Sequence, residues 1–221
     1  GVSFKSTLKE FPEYKTIYTG NPCSEEAIKK EIVPKSMYHL SSHKKLVLIV
    51  MGSLGSEKIT NMMLKTLDLF KNKNYEVIFV TGKNSYETFE KVVLPSNVKV
   101  VPYIENLSGF MKNVDVIVSR AGASTMSELI ALQIPSILVP SPYVPNNHQY
   151  KNAIDLVNKK AALLIEEKDL SGKLLVSKVD ELLDNEDEYQ TMKENLKKMA
   201  ILDSADRIYC VLKELSENEN R

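Results

Sequence analysis

Short apolar runs rich in β-branched residues alternate along the chain with stretches of helical length. The runs fall at 46–51 (LVLIVM), 75–80 (YEVIFV), 97–101 (NVKVV), 114–119 (VDVIVS), 136–140 (SILVP) and 161–165 (AALLI). Short runs of this kind, closed by Gly, Pro or polar positions, read as strands buried on both faces. Between them the pattern predicts helices at 56–71, 84–93, 105–112, 122–133 and 147–160. In the first of these, Ile59, Met62, Met63, Leu67 and Phe70 share one face. Strand–helix repetition predicts right-handed βαβ units and an α/β fold, a Rossmann-like doubly wound parallel sheet with the dinucleotide-binding strand order. Beyond Ile165 the chain reads as helical at 171–184, 187–199 and 203–217, with a polar, frayed end.

The first forty residues break the alternation. GVSF and KTIYTG read as two short strands around a short helix at 6–11, and Gly20-Asn21-Pro22 is a strong turn signal. A short helix at 24–32 and an irregular linker at 34–43 follow. Residues 1–22 are too few to bury a core of their own. They are expected to be the tail of a preceding domain or an edge of the main one. The expected organisation is therefore 1–22 as tail, 23–43 as linker and 44–221 as the main domain.

Composition narrows the function. The 221 residues are 43% hydrophobic and 26% charged, the balance of a globular chain. With 29 basic and 29 acidic side chains the net charge is zero, which argues against a protein that coats nucleic acid. The longest apolar run has six residues, against about 20 for a membrane-spanning helix. The first residues lack the apolar centre of a signal peptide. Cys23 and Cys210 match no metal or redox spacing and fit a reducing, cytosolic setting. The chain opens on Gly rather than Met, which suggests a tag scar or an excised domain. Charge is uneven along the chain: residues 1–112 carry a net +5 and residues 113–221 a net −5. Surface solubility accounts for this, and so would an anionic partner facing the basic part.

Four loops that follow strands have ligand-capable chemistry. In Gly52-Ser53-Leu54-Gly55-Ser56, glycines let the backbone approach a ligand, and the helix that follows offers free N–H groups to an anion. The loop is neither a GxGxxG fingerprint nor a Walker A motif, and taken alone it reads first as a capped tight turn. In Ser119–Glu128, Glu128 lies three and four residues after Thr125 and Ser124, on the same helix face. One carboxylate there suits both hydroxyls of a ribose. Thr125-x-x-Glu128 also has the form of a capping box. Pro140–Tyr150 is a stiff loop ahead of a helix whose first turn carries His148 and Gln149, which either face a ligand or simply lie in solvent. Pro102-Tyr103-Ile104-Glu105, after the third strand, offers a backbone N–H and C=O to a nucleobase edge. No nucleophilic triad, carboxylate dyad or metal cluster can be assembled, so the loops suggest a nucleotide-containing ligand.

Taken together, TGNP (Thr19–Pro22), GSLGS (Gly52–Ser56), SRAGASTMSE (Ser119–Glu128) and HQYKNA (His148–Ala153) make the chain resemble the C-terminal half of the MurG family, over nearly its whole length. The resemblance implies the C-terminal domain of a GT-B glycosyltransferase. It implies binding of UDP-N-acetylglucosamine, with no cofactor and no metal. Gly52, Ser53 and Gly55 then fall where the family holds the diphosphate. Ile104 falls where backbone groups meet uracil, and Ala123, Ser124 and Thr125 lie at the helix start by the diphosphate and sugar. Glu128 falls on the ribose glutamate, and His148 and Gln149 on a polar pair that reaches the GlcNAc hydroxyls. Two departures stand out. The Arg that usually follows GNP is missing from Pro22-Cys23-Ser24, and the usual Gly-Gly-Ser is Met51-Gly52-Ser53.

In the family, GlcNAc is transferred with inversion to lipid I to make lipid II for peptidoglycan, linking the enzyme to cell-wall synthesis, cell division and cell shape. The resemblance places the parent in the cytoplasm, peripheral to the inner face of the membrane. The N-terminal domain, with the acceptor loops and the proposed general-base His, is absent here, so this chain is expected to bind donor without transferring sugar. Two rivals remain: a soluble donor-binding subunit of a two-chain UDP-GlcNAc transferase, and a dinucleotide-dependent oxidoreductase, whose glycine fingerprint is lacking.

Overall fold

A computed structural model describes residues 1–51 and 57–219. Among the described residues, six parallel strands form one sheet: β1 (Leu46–Val50), β2 (Glu76–Val80), β3 (Val98–Val101), β4 (Val116–Ser119), β5 (Ser136–Leu138) and β6 (Leu163–Leu164). They lie in the order β3-β2-β1-β4-β5-β6, the expected dinucleotide-binding arrangement. Registers such as Val47 against Val77 and Val116 place the centre of the sheet at β1.

Pleating sends alternate strand residues to opposite faces. Val47, Ile49, Val77, Phe79, Val116 and Val118 point to one core, and Leu46, Leu48, Ile78, Ile117 and Leu138 to the other. The first core is covered by α2 (Glu57–Thr66) through Ile59 and Met63, and by α6 (Gly172–Asp184) through Leu175, Val179 and Leu182. The second is covered by α3 (Leu107–Met111), α4 (Ala123–Leu132) and α5 (His148–Asn158), with Phe110, Leu129 and Leu156 fully buried. Each such side chain contributes about 1.5–3 kcal/mol on burial. Helix α7 (Glu186–Met199) straddles the sheet, since Met192 joins the first core and Leu196 the second.

Several elements are shorter than the pattern predicts. The 56–71 helix tightens into a 3-10 turn over Leu67–Phe70. The 84–93 segment is a 3-10 stretch, Lys83–Phe89, because it buries only Phe89, whose ring meets Phe79 edge-on at 5.5 Å. One apolar anchor makes no helical stripe. The two N-terminal strands reduce to a single parallel bridge, Val2 to Tyr18, around a 3-10 helix over Lys5–Glu10.

Residues 1–43 are held onto the domain in places. Phe4 and Leu40 are buried in the second core, and Ala27 of α1 (Cys23–Lys29) is buried too. Ser24 Oγ donates to Ser127 O in α4 at 3.2 Å. Phe11, Tyr14 and Ile17 are exposed. The C-terminal α8 (Ser204–Glu219) carries Ile208, Val211, Leu212 and Leu215 at helical spacing, and Leu212 and Leu215 are about 60% and 58% exposed. No described helix is long and apolar enough to cross a membrane.

Candidate functional site

In an open parallel sheet, ligands bind beyond the carboxyl ends of the strands, where the strand order reverses. Here that point lies between β1 and β4. A cavity of about 290 Å³ opens there, lined by Val50, Gly82, Ile104, Leu107, Ser119 and Thr125. Gly82 takes φ 81°, which lets the chain turn sharply beside the cavity. Ile104 is buried, and its N–H has no hydrogen-bond partner among the described residues. An unsatisfied N–H beside a cavity is a donor that a planar polar ligand can use.

Helix α4 starts at Ala123 with Gly122 as its N-cap, and no side chain caps it. The N–H groups of Ala123, Ser124 and Thr125 therefore stand free of intrahelical bonds at the positive end of the helix. Ala123 and Ser124 are exposed and Thr125 is half-buried. Because Gly122 is the cap, Thr125 lies within the helix and Thr125-x-x-Glu128 is no capping box. Nothing lies within 4 Å of the position a Cβ on Gly122 would take.

Glu128, one turn further on, is half-buried, and its Oε1 accepts a hydrogen bond from Ser108 Oγ of α3 at 2.9 Å. Burial raises its pKa. The Ser108 hydrogen bond opposes the rise, and the charge of Glu26 adds to it.

The third loop divides its roles. His148 opens α5 and is exposed, and its Nδ1 lies 2.9 Å from Pro145 O. With Ala123 it lines a second cavity of about 430 Å³. Gln149 Oε1 accepts from Ser141 N at 2.9 Å, which fixes the side chain and leaves its amide nitrogen for a ligand. Asn152 Nδ2 donates to Ala121 O at 3.1 Å and fastens α5 to the β4–α4 turn, a role the sequence alone left unremarked. Gly52, Ser53 and Gly55 lie outside the described residues. The fold thus brings Ile104 and Thr125 to one cavity, Ala123 and His148 to another, and Glu128 to the α3–α4 contact between Ser108 and the helix start. No group of three or more His, Cys, Asp or Glu suited to a metal occurs among the described residues.

A model of the glycosyltransferase family 28 C-terminal domain matches residues 46–208. The UDP-N-acetylglucosamine--N-acetylmuramyl-(pentapeptide) pyrophosphoryl-undecaprenol N-acetylglucosamine transferase of Bacillus cytotoxicus is 42% identical over 97% of this chain and 60% of its own length. The enzyme of that name from Pediococcus pentosaceus is 39% identical over 98% of this chain and 61% of its own. The chain therefore spans about three-fifths of the length of these relatives. Among solved structures, MurG of Acinetobacter baumannii superposes with a TM-score of 0.71 at 20% identity, covering 92% of this chain and 58% of the other. A UDP-GlcNAc 2-epimerase from Neisseria meningitidis bound to UDP-GlcNAc gives 0.68 at 17% identity, covering 93% and 57%. At such identities the structures establish the shared fold.

Proposed function

The chain belongs to the glycosyltransferase family 28 C-terminal domain family, and from that membership we propose that it is the UDP-GlcNAc-binding part of an inverting transferase that converts lipid I to lipid II in peptidoglycan synthesis. The observation that carries this reading is the cavity at the strand-order reversal, which Ile104 and Thr125 both line. Its volume of about 290 Å³ is at the small end for ligand pockets and suits a nucleoside rather than a whole nucleotide sugar. Uracil would pair with Ile104, and the ribose hydroxyls would donate to Glu128. The diphosphate would lie against the first turn of α4. Gly52, Ser53 and Gly55 are proposed to close over it, and the sugar to lie toward His148 and the Gln149 amide.

As the bond from GlcNAc to UDP breaks, negative charge builds on the departing diphosphate. Fixed N–H groups at Ala123, Ser124 and Thr125 stabilise that charge without reorganising. The attacking hydroxyl and its base are proposed to come from the part of the relatives that this chain does not span, so the chain alone is expected to bind and not to turn over. Residues 1–22 are read as the end of that preceding domain and 23–43 as the connection. The exposed apolar residues on α8 fit this reading, since surfaces of that kind mark contacts with other protein surfaces or with membranes. Contact with the inner face of the membrane, and with it the roles in cell division and shape, would belong to the full-length parent. The relatives are longer single chains, which favours a fused parent over the two-chain arrangement.

The test is a thermal melt with UDP, UDP-GlcNAc and NAD. Ligand at about a hundred times its dissociation constant should add about 2.7 kcal/mol of stability. UDP and UDP-GlcNAc are expected to raise the melting temperature and NAD to leave it unchanged. No shift with millimolar UDP overturns the donor reading. Gly122→Ala probes the same surface. The site is open and the backbone extended (φ −69°, ψ 145°), so the fold should tolerate the methyl. That methyl would stand where the diphosphate approaches, at a cost of about 1 kcal/mol or roughly fivefold in UDP affinity. Full UDP affinity in Gly122→Ala would place the phosphate elsewhere.

A further inference from the structure

Arg120 is the first residue after β4, and its side chain is about 10% exposed. Its guanidinium crosses the end of β5, where Nη1 donates to Val139 O at 3.0 Å. Nη2 stands 2.6 Å from Glu167 Oε2, just beyond β6. The other carboxylate oxygen, Oε1, is 3.8 Å from Lys58 Nζ in the first turn of α2. One buried carboxylate and one guanidinium therefore link the β4–α4, β5–α5 and β6–α6 loops, and Lys58 connects them to the start of α2. All four segments lie at the carboxyl edge of the sheet.

Stability does not explain the arrangement. The Glu167 side chain is only 3% exposed, and although the ion pair is at contact distance, neither oxygen accepts an aligned hydrogen bond. Buried pairs of this kind are often no more stable than apolar residues of similar volume. What the pair does supply is geometry. It ties the turn that opens α4 to two neighbouring strand ends, and binding surfaces need their groups held to within about 0.5 Å.

We propose that Arg120 and Glu167 are positioning residues that aim the first turn of α4 at the donor diphosphate, an inference that rests on the donor-binding reading above. Arg120 also lines the cavity beside Ile104 and Thr125, whereas Glu167 does not, so Glu167 is the residue whose effect must run through position alone. Because the effect runs through the phosphate-facing turn, it should act on UDP and spare uridine, which lacks the diphosphate.

The test compares UDP and uridine binding, by calorimetry and by NMR titration, in the unaltered chain and in Glu167→Gln. Glu167→Gln is expected to bind UDP roughly fivefold to tenfold more weakly and uridine as before. Equal losses for both ligands, or no loss for either in a folded variant, overturns the proposal. If Glu167→Gln fails to fold, the apolar pair Arg120→Met with Glu167→Leu decides. A melting temperature at or above that of the unaltered chain, with UDP bound weakly and uridine bound as before, supports positioning. Full UDP affinity in that double variant shows the pair to be structural only. Absence of UDP binding by the unaltered chain overturns the donor-site reading and this proposal with it, whereas intact binding by every variant overturns this proposal alone.

Discussion

Replacing Glu128 with glutamine is expected to weaken UDP binding by about 1–2 kcal/mol, roughly fivefold to thirtyfold, and to raise the melting temperature at neutral pH. Both effects come from one half-buried carboxylate. Burial pushes its pKa up, and the Ser108 hydrogen bond only partly offsets that. A carboxyl with a raised pKa binds its proton more tightly in the folded chain than in the unfolded one. Its charged form therefore costs stability above the ordinary carboxylate range, and the cost fades as pH falls through the raised value. Glutamine removes the cost at neutral pH. The same charge is what would hold the ribose: Oε1 already accepts from Ser108, and Oε2 remains for a ligand hydroxyl. In the unaltered chain UDP affinity should fall as pH drops through the raised pKa, while in Glu128→Gln it should stay flat over that window. Calorimetry at neutral and mildly acidic pH, with melts at both, reads all of this. Wild-type affinity in a folded Glu128→Gln removes the ribose role.

The second large effect is expected at Gly20, where alanine should cost about 2–3 kcal/mol. Gly20 takes φ 76°, a left-handed conformation that side chains resist. A Cβ there would stand 2.5 Å from Ser204 Oγ and 2.8 Å from Ile201 Cγ2. Ser204 opens α8 and is fully buried, so it cannot swing into solvent. The methyl would push the turn before α1 away from the start of α8, where the two ends of the chain meet. For a chain of this size the loss is a fall of roughly 5–10 °C in melting temperature. A shift of under 1 °C would mean that the contact is looser than the geometry requires.

The sheet is legible in the sequence because its strands are buried on both sides. A run such as 46–51 has nowhere to go but the centre, and β1 begins at its first residue. Where burial weakens, legibility falls. The apolar run 161–165 pairs over only two residues, Leu163 and Leu164, at the sheet edge. At the site, helical spacing alone put Glu128 on the face of Ser124 and Thr125. Its partner Ser108 is twenty positions away on another helix, and no periodicity connects them. Gln149 reads as a free polar group in sequence, yet its oxygen is engaged by the backbone of the loop before it. The Arg120–Glu167 pair depends on three strand ends lying side by side, a relation that exists only after the sheet has formed.

The strand order has a kinetic consequence. β1 and β2 are neighbours in both sequence and space, but β1 must also pair with β4, more than sixty residues later. Pairings across such separations bear loop-closure entropy before they gain any contact, and they slow folding. The half-sheet β3-β2-β1 can assemble as the chain emerges, with one side of β1 still open. The cleft for the proposed ligand is bounded by that open side and by β4. It is therefore created by the slowest pairing in the sheet, and ligand binding during refolding would report the closing step rather than collapse.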